Sequence, residues 1–528
     1  MAPTEEKSLQ HQEVTTFFES SALSKETEDV LNGADERLEK LRQDHEATWD
    51  SPNDPHDPYN WSTFRKMTIG ILISLGQLIA FMSASVIAPA LGDIAKDLHT
   101  SASTAQIIMT TTFLGFAFGP FLFNAVSEVY GRRLVWIFGN AWFILWNALC
   151  PVGKTQGSMI FARLMAGAGA SVSISLAQPV MADLYREKDR GKSMAIVAAL
   201  TYLGPAIGPI VGGLVTQLIR WEWIFGIISL LNTLVTIVGI VCLEETYTPV
   251  LLRRKAKVQN EFPPMQKTSA RKCQSWRDIH VHPKLSESLL RPLRLFWTRP
   301  IIYLIATILA VDMGVYTLML STLSTLWIQK YNQSEFTSSL HYIAVAIGAT
   351  INGQLGSYTM DRLYAFFSTR SNNNVGKPEF RIPYLVPGLI LMPAGLLWYG
   401  WAAERSISWI VVDFGVVVFT LGSFTTAQAM YAYQVDEFET YNASAMAASC
   451  LLQNVLGFVL PIFAPQLYEK KGYGLGNSLV AVGMVGIGFP VCIVLWFWGD
   501  RVRTYGKMPK RRGQNESAST ESDSLGST

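Results

Sequence analysis

The sequence predicts an all-α membrane protein with twelve transmembrane helices in two six-helix, pseudo-symmetric bundles. Three observations predict it. The chain is 49% hydrophobic and only 16% charged, and its mean hydropathy is +0.22 although both ends are polar. Apolar segments of about 20 residues recur, the length that crosses roughly 30 Å of hydrocarbon. Six such segments, a polar stretch and six more describe a duplicated arrangement.

The elements follow in order. Residues 1–65 begin with an acidic, polar run and hold no short apolar signal segment, so they read as a disordered cytoplasmic tail, with a short charged helix as the other reading of its charged stretch. Spans at roughly 67–91, 103–125, 134–152, 158–184, 191–217 and 221–243 make the first bundle, 66–244. The linker, 245–298, contains PKLSESLLRPLRLFW (283–297), which mixes apolar and basic residues and predicts an amphipathic helix on the inner membrane surface. Spans at roughly 299–323, 337–360, 382–402, 408–433, 441–467 and 473–498 make the second bundle, 299–500. Residues 501–528 are Lys/Arg-rich, then Ser/Glu-rich, and read as a second disordered tail. Lys and Arg concentrate in the tails, the linker and the loops after the even-numbered spans, which places both termini in the cytoplasm.

Composition also excludes classes. A net charge of +2 implies no nucleic-acid partner. The five cysteines are scattered without disulfide or metal spacing, and the His280-x-His282 pair has no further ligands nearby. No phosphate-binding loop, G-x-S-x-G or H-E-x-x-H occurs, so neither ATP-driven pumping of that type nor hydrolase chemistry is predicted. The protein is read as a non-enzyme without cofactor, whose partners are the lipid bilayer and a small molecule.

Three stretches carry the mechanistic signal. NAVSEVYGRRLVW (124–136) lies between spans two and three, where Gly131 permits a tight turn and Arg132 and Arg133 stand beside Glu128. A charge network at a helix junction and plain positive-inside topology are equally good readings. Arg163, inside span four, either faces a cavity or partner or snorkels to the interface. TYLGPAIGPIVGGLV (201–215) sets Gly204, Gly208 and Gly212 at i, i+4 and i+8 on one helix face, where a second helix can approach closely. Pro205 and Pro209 bend that helix.

Together these pieces resemble the major facilitator superfamily. Asn124, Val126 and Glu128 depart from the first glycine, leucine and aspartate of its inner-loop motif, whereas Gly131, Arg132 and Arg133 match. Gly204, Gly208, Pro209, Gly212 and Gly213 match its antiporter motif in full, and Arg163 sits where the span-four motif has its arginine. DPHDPYNWS, LEETYTPVLLRRKA, KPEFRIP and FAPQLYEKKGYGLGNSL resemble fungal twelve-helix drug:proton antiporters, so the likeness runs from about residue 51 to 503. It implies two halves rocking around a central cavity, with span five packed against the second half. It further implies a monomer in the plasma membrane that exports a small amphipathic toxin, secondary metabolite or drug, with the proton gradient as energy source. Proton-coupled uptake and a non-transporting sensor are the alternatives.

Proton coupling needs a titrating group within the spans. Asp312, in span seven, is the candidate beside Arg163, with structural pairing as its other reading. Asp413 and Asp436 read as interfacial. Gln77, Gln178, Asn352, Gln428, Gln453 and Asn454 are cavity-lining or inter-helix hydrogen-bonding candidates. Tyr202, Tyr316, Tyr431 and Tyr433 either offer a stacking surface or belong to a membrane-facing belt.

Overall fold

The computed structural model describes residues 48–185, 187–261, 281–370, 376–438 and 442–505. The tails 1–47 and 506–528, His280 and the side chains of Tyr202 and His282 lie outside the described residues. Among the described residues the regular elements are all helical. In the first half they are α1 (Thr63–Ser85), α2 (Leu91–Asp97), α3 (Ala102–Tyr130), α4 (Arg132–Leu149), α5 (Gln156–Leu184), α6 (Glu187–Leu218) and α7 (Trp223–Cys242). Helices α8 (Thr248–Glu261) and α9 (Val281–Thr298) follow. The second half comprises α10 (Pro300–Gln329), α11 (Glu335–Leu340), α12 (Ile343–Thr369), α13 (Ile382–Glu404), α14 (Trp409–Glu437), α15 (Asn442–Ile462) and α16 (Ala464–Thr504). Gly472, at φ +72°, breaks α16 into a short first piece and a long span. Every one of the twelve predicted spans has its helix, and nine helices among the described residues are long and apolar enough to cross a membrane.

Local sequence explains where the helices begin. Ser62, Ser101, Thr155 and Ser334 each accept a backbone N–H from the first turn that follows. Apolar composition all round, rather than one apolar stripe, suits helices that meet neighbours on one side and lipid on the other.

The packing repeats. In the first half α1 packs on α6, α3 on α5, α4 on α5, and α4 on α7. In the second half α10 packs on α15, α12 on α14, α13 on α14, and α13 on α16, the same pairs in chain order. The halves meet along α3 with α15 and along α6 with α11 and α12. We call the end of the bundle bearing residues 48 and 505 proximal, and the opposite end distal.

Two expectations about the polar segments change. Residues 48–62, read as disordered tail, are ordered against α8. Lys255 reaches Asp50 at 2.9 Å and Asp54 at 3.3 Å, and its ammonium lies 5.6 Å from the Trp49 ring centroid. Burial works to raise the Asp54 carboxyl, but the amides of His56 and Asp50 and the Lys255 ammonium hold it below its ordinary range. The linker segment 283–297 is helical as expected, within α9. Rather than standing alone, α9 packs on α3 and α15, one helix from each half.

Candidate functional site

A cavity of about 270 Å³ opens between the halves. Phe81 of α1, Phe113 and Phe116 of α3, Ile174 of α5 and Pro205 of α6 line one wall. Asp312 and Tyr316 of α10, Gln428 of α14, and Gln453 and Asn454 of α15 line the other. Asp312 is buried, Ser423 hydrogen-bonds its carboxyl, and Oδ1 has no partner. It is the one ionisable carboxylate lining this cavity among the described residues.

The sequence candidates divide accordingly. Asp312, Tyr316, Gln428 and Asn454 line the cavity, as do Gln453 and Tyr431. Gln77 stands behind the wall, accepting from the Thr201 hydroxyl at 2.8 Å. Asn352 is also behind it. Its Nδ2 donates to Gln428 Oε1 at 3.0 Å, and its Oδ1 accepts from Thr425 at 2.9 Å and from Tyr384 at 3.1 Å. Gln178 is exposed and does not line the cavity, and Tyr433 is fully buried in the second half's core. Phe81, Phe113 and Phe116 were not candidates, because a phenylalanine in an apolar span carries no signal until its neighbours are known.

Arg163 faces partners, neither lining the cavity nor reaching the interface. It is fully buried, its guanidinium donates to the carbonyls of Ser83 (3.0 Å) and Met109 (3.3 Å), and it stands 5.9 Å from the Phe225 ring centroid. It therefore ties α1, α3, α5 and α7 together and stands away from the cavity lining. Carbonyls of the neighbouring helices there substitute for water.

The glycine face of α6 is a second correction. A Cβ on Gly204 would meet Leu78 O at 2.9 Å, on Gly208 Met82 O at 2.8 Å, and on Gly212 Val86 O at 1.9 Å. All three partners are on the α1 segment of the same half, so this face builds the first half and does not touch the second. Gly213, one residue around the helix, is the contact between halves. A Cβ there would meet Glu335 O at 2.7 Å and Ser339 Oγ at 2.6 Å. Helix α11 thus closes the distal end over α6, helped by Gln106 Nε2 donating to Ser321 O at 3.4 Å. Behind α11, His341 stacks on Trp327 at 3.7 Å and bonds Asp413 at 2.7 Å and Gln333 at 3.0 Å. Asp413 is accordingly an end group, as is Asp436, paired with Arg381 at 2.8 Å.

At the proximal end a charge network does form, with acids other than the one expected. Glu245 accepts the backbone N–H of Arg132 at 2.8 Å and of Arg133 at 3.4 Å, capping α4. Gly131 has φ +98°, and any Cβ there would strike the Glu245 carboxylate. The Arg132 side chain bonds Ser127 and Asp183 and lies 4.6 Å from the Tyr247 ring centroid, while Arg133 donates to Ile240 O at 2.8 Å. Glu128 supplies none of these bonds. It lines a small crevice with Arg291 and Pro292 of α9 and Ser444 and Ala447 of α15. The network joins residues 51 and 113 positions apart, a separation that local reading does not span.

The sequence profile of the Major Facilitator Superfamily matches residues 73–461. The chain belongs to that superfamily. Among its relatives, the probable efflux pump mfs2 of Aspergillus flavus is 36% identical, over 79% of this chain and 98% of its own. The efflux pump vrtL of Penicillium aethiopicum is 33% identical, over 87% and 90% respectively. The MFS transporter cpaT of Aspergillus oryzae is 34% identical, over 87% and 92%. The proton:xylose symporter XylE superposes with a TM-score of 0.60 at 14% identity, covering 83% of this chain and 96% of that one. The human organic anion transporter MFSD10 gives 0.55 at 16% identity, over 82% and 100%. Both solved structures share the major facilitator fold, so the twelve-helix, two-bundle prediction holds for this multi-pass membrane protein.

Proposed function

We propose that this major facilitator protein exports a small amphipathic organic compound in exchange for protons, across the plasma membrane. Both termini are then cytoplasmic and the distal end faces outward. The lysine and arginine bias of the proximal segments supports that orientation. The observation that carries the reading is the cavity between the halves, with one carboxylate, Asp312, on its wall. A compound enters from the proximal side, and rocking of the halves exposes it to the distal side. Asp312 takes a proton on one side of the cycle and yields it on the other. The chain needs no cofactor beyond the gradient and works as a monomer. The efflux relatives, which match most of the chain, favour export over uptake.

Purified protein in liposomes tests this. An imposed proton gradient should drive rhodamine 6G against its concentration, and Asp312→Asn should abolish that drive while leaving downhill exchange. Gradient-driven transport by Asp312→Asn at the wild-type rate would remove Asp312 from coupling. Movement of dye in the same direction as protons would replace export with uptake.

A further inference from the structure

The two walls of the cavity differ in kind. On the first-half wall stand three phenylalanines in edge-to-face contact, Phe81–Phe116 at 6.0 Å and Phe113–Phe116 at 5.7 Å between centroids. Among the described residues its polar groups are the hydroxyls of Ser85, Ser171 and Thr201. Among the described residues, every carboxylate and carboxamide that lines the cavity comes from the second half.

Counting hydrogen bonds on that second wall leaves a specific remainder. The Gln428 amide oxygen accepts from Asn352 at 3.0 Å and Tyr384 at 3.1 Å, and its nitrogen donates to Ser357 at 2.8 Å. An amide nitrogen has two hydrogens, so one N–H is unspent. Asp312 Oδ1 and the Tyr316 hydroxyl are both buried without a partner. They sit four residues apart, one turn of α10, on the cavity face. Gln453 Oε1 is occupied by Tyr431 at 2.9 Å, and Asn454 Nδ2 by Cys450 O at 2.9 Å. The wall therefore leaves unspent an acceptor at Asp312, a hydroxyl at Tyr316 and a donor at Gln428, and beside them on α15 the Gln453 Nε2 donor and the Asn454 Oδ1 acceptor. Buried polar groups are nearly always satisfied, and orphans that face a cavity call for a ligand.

We infer that the cavity reads its ligand from two sides, and that this names the substrate class: a flat, roughly tricyclic molecule with one bare face and one oxygenated edge. The inference rests on the export reading. The ring face lies on Phe81, Phe113 and Phe116. The edge carries a hydroxyl that donates to Asp312 beside a carbonyl or hydroxyl that accepts from Tyr316 and Gln428. The volume of about 270 Å³ is just below the usual range of small-molecule sites, roughly 300–1,000 Å³, which favours three fused rings over larger skeletons. The Tyr316 ring is held by an edge contact to Phe424, 5.8 Å between centroids. Tyr316 and Gln428 are then specificity-determining residues. A site built to hydrogen-bond an edge discriminates against the analogue lacking it far better than an apolar wall discriminates by size.

The test uses alizarin, a flat tricycle with adjacent hydroxyl and carbonyl groups, and anthracene, which keeps the three rings and loses every oxygen. Binding to the purified full chain is followed by quenching of tryptophan fluorescence. The wild type should prefer alizarin at least tenfold. Tyr316→Phe and Gln428→Leu should each cut that preference by about tenfold, the worth of one hydrogen bond. Phe116→Ala should weaken both compounds equally and leave the ratio unchanged. Monodisperse elution of each variant shows that it is folded, and Tyr316→Phe removes a single unpartnered oxygen. An unchanged ratio in both polar variants, or no preference in the wild type, overturns the inference. Proton-driven alizarin flux on the same preparation separates the two readings. Flux with an unaltered ratio defeats this inference alone, and absent flux defeats the export reading.

Discussion

Gly208 and Gly213 lie on the same helix five residues apart, and alanine at each has a different consequence. At Gly213 a Cβ would stand 2.7 Å from Glu335 O, where ordinary contact begins near 3.4 Å, so α11 must retreat by about 0.7 Å. At Gly208 the Cβ would stand 2.8 Å from Met82 O, and α1 must retreat by about 0.6 Å. Overpacking of this size costs about 1–3 kcal/mol. At Gly213 the cost falls on the distal-closed state alone, because opening separates α6 from α11. The balance between closed and open forms shifts by about 5- to 150-fold. At Gly208 it falls on every state, because α1 and α6 belong to one half. The assay is maleimide labelling from the distal side of a cysteine placed at Leu320, on the cavity wall, with the native cysteines replaced. Gly213→Ala should accelerate labelling by that factor. Gly208→Ala should lower the melting temperature and leave the labelling rate alone. Equal acceleration by both substitutions would refute the assignment of the two glycines to different interfaces.

Three further outcomes are expected. Glu335 is held above its ordinary range by burial, with the Asp93 carboxylate adding to the effect and the Thr216 hydroxyl and Lys96 opposing it. The distal-closed state therefore binds its proton more tightly, so closure is strongest at low pH and weakens as pH rises through the raised value. Labelling at position 320, taken relative to a permanently exposed cysteine, should quicken as pH rises through that raised value, and Glu335→Gln should flatten that dependence. Glu245→Ala removes the cap of α4 and should cost about 1–2 kcal/mol in a denaturant titration, with Glu128→Gln costing less. Equal costs would return Glu128 to the centre of the network. Arg163→Lys keeps the charge but loses one of the two carbonyl contacts, so the melting temperature should fall while flux keeps its dependence on the proton gradient. Lost gradient dependence at an unchanged melting temperature would instead make Arg163 a coupling residue.

By itself the sequence determined the class, the twelve spans and the duplication, because a segment's fate in a bilayer depends on its own length and polarity. The helix starts after Ser62, Ser101, Thr155 and Ser334 are equally local, since a cap acts over three residues, although hydropathy places the spans a few residues further on. Asp312 was legible for the same reason, as a carboxylate is costly in an apolar span wherever its neighbours lie. Partners were decided only by the tertiary structure. The spacing of Gly204, Gly208 and Gly212 announced a close approach, but one helix does not say which neighbour comes close, and the neighbour is α1. Arg132 announced a network whose acids, Asp183 and Glu245, lie on distant segments. The phenylalanine wall facing Asp312 arises because α1 and α3 of one half stand across from α10 of the other. Hydropathy and capping are properties of a segment, whereas a contact is a property of a pair, and packing alone brings the pair together.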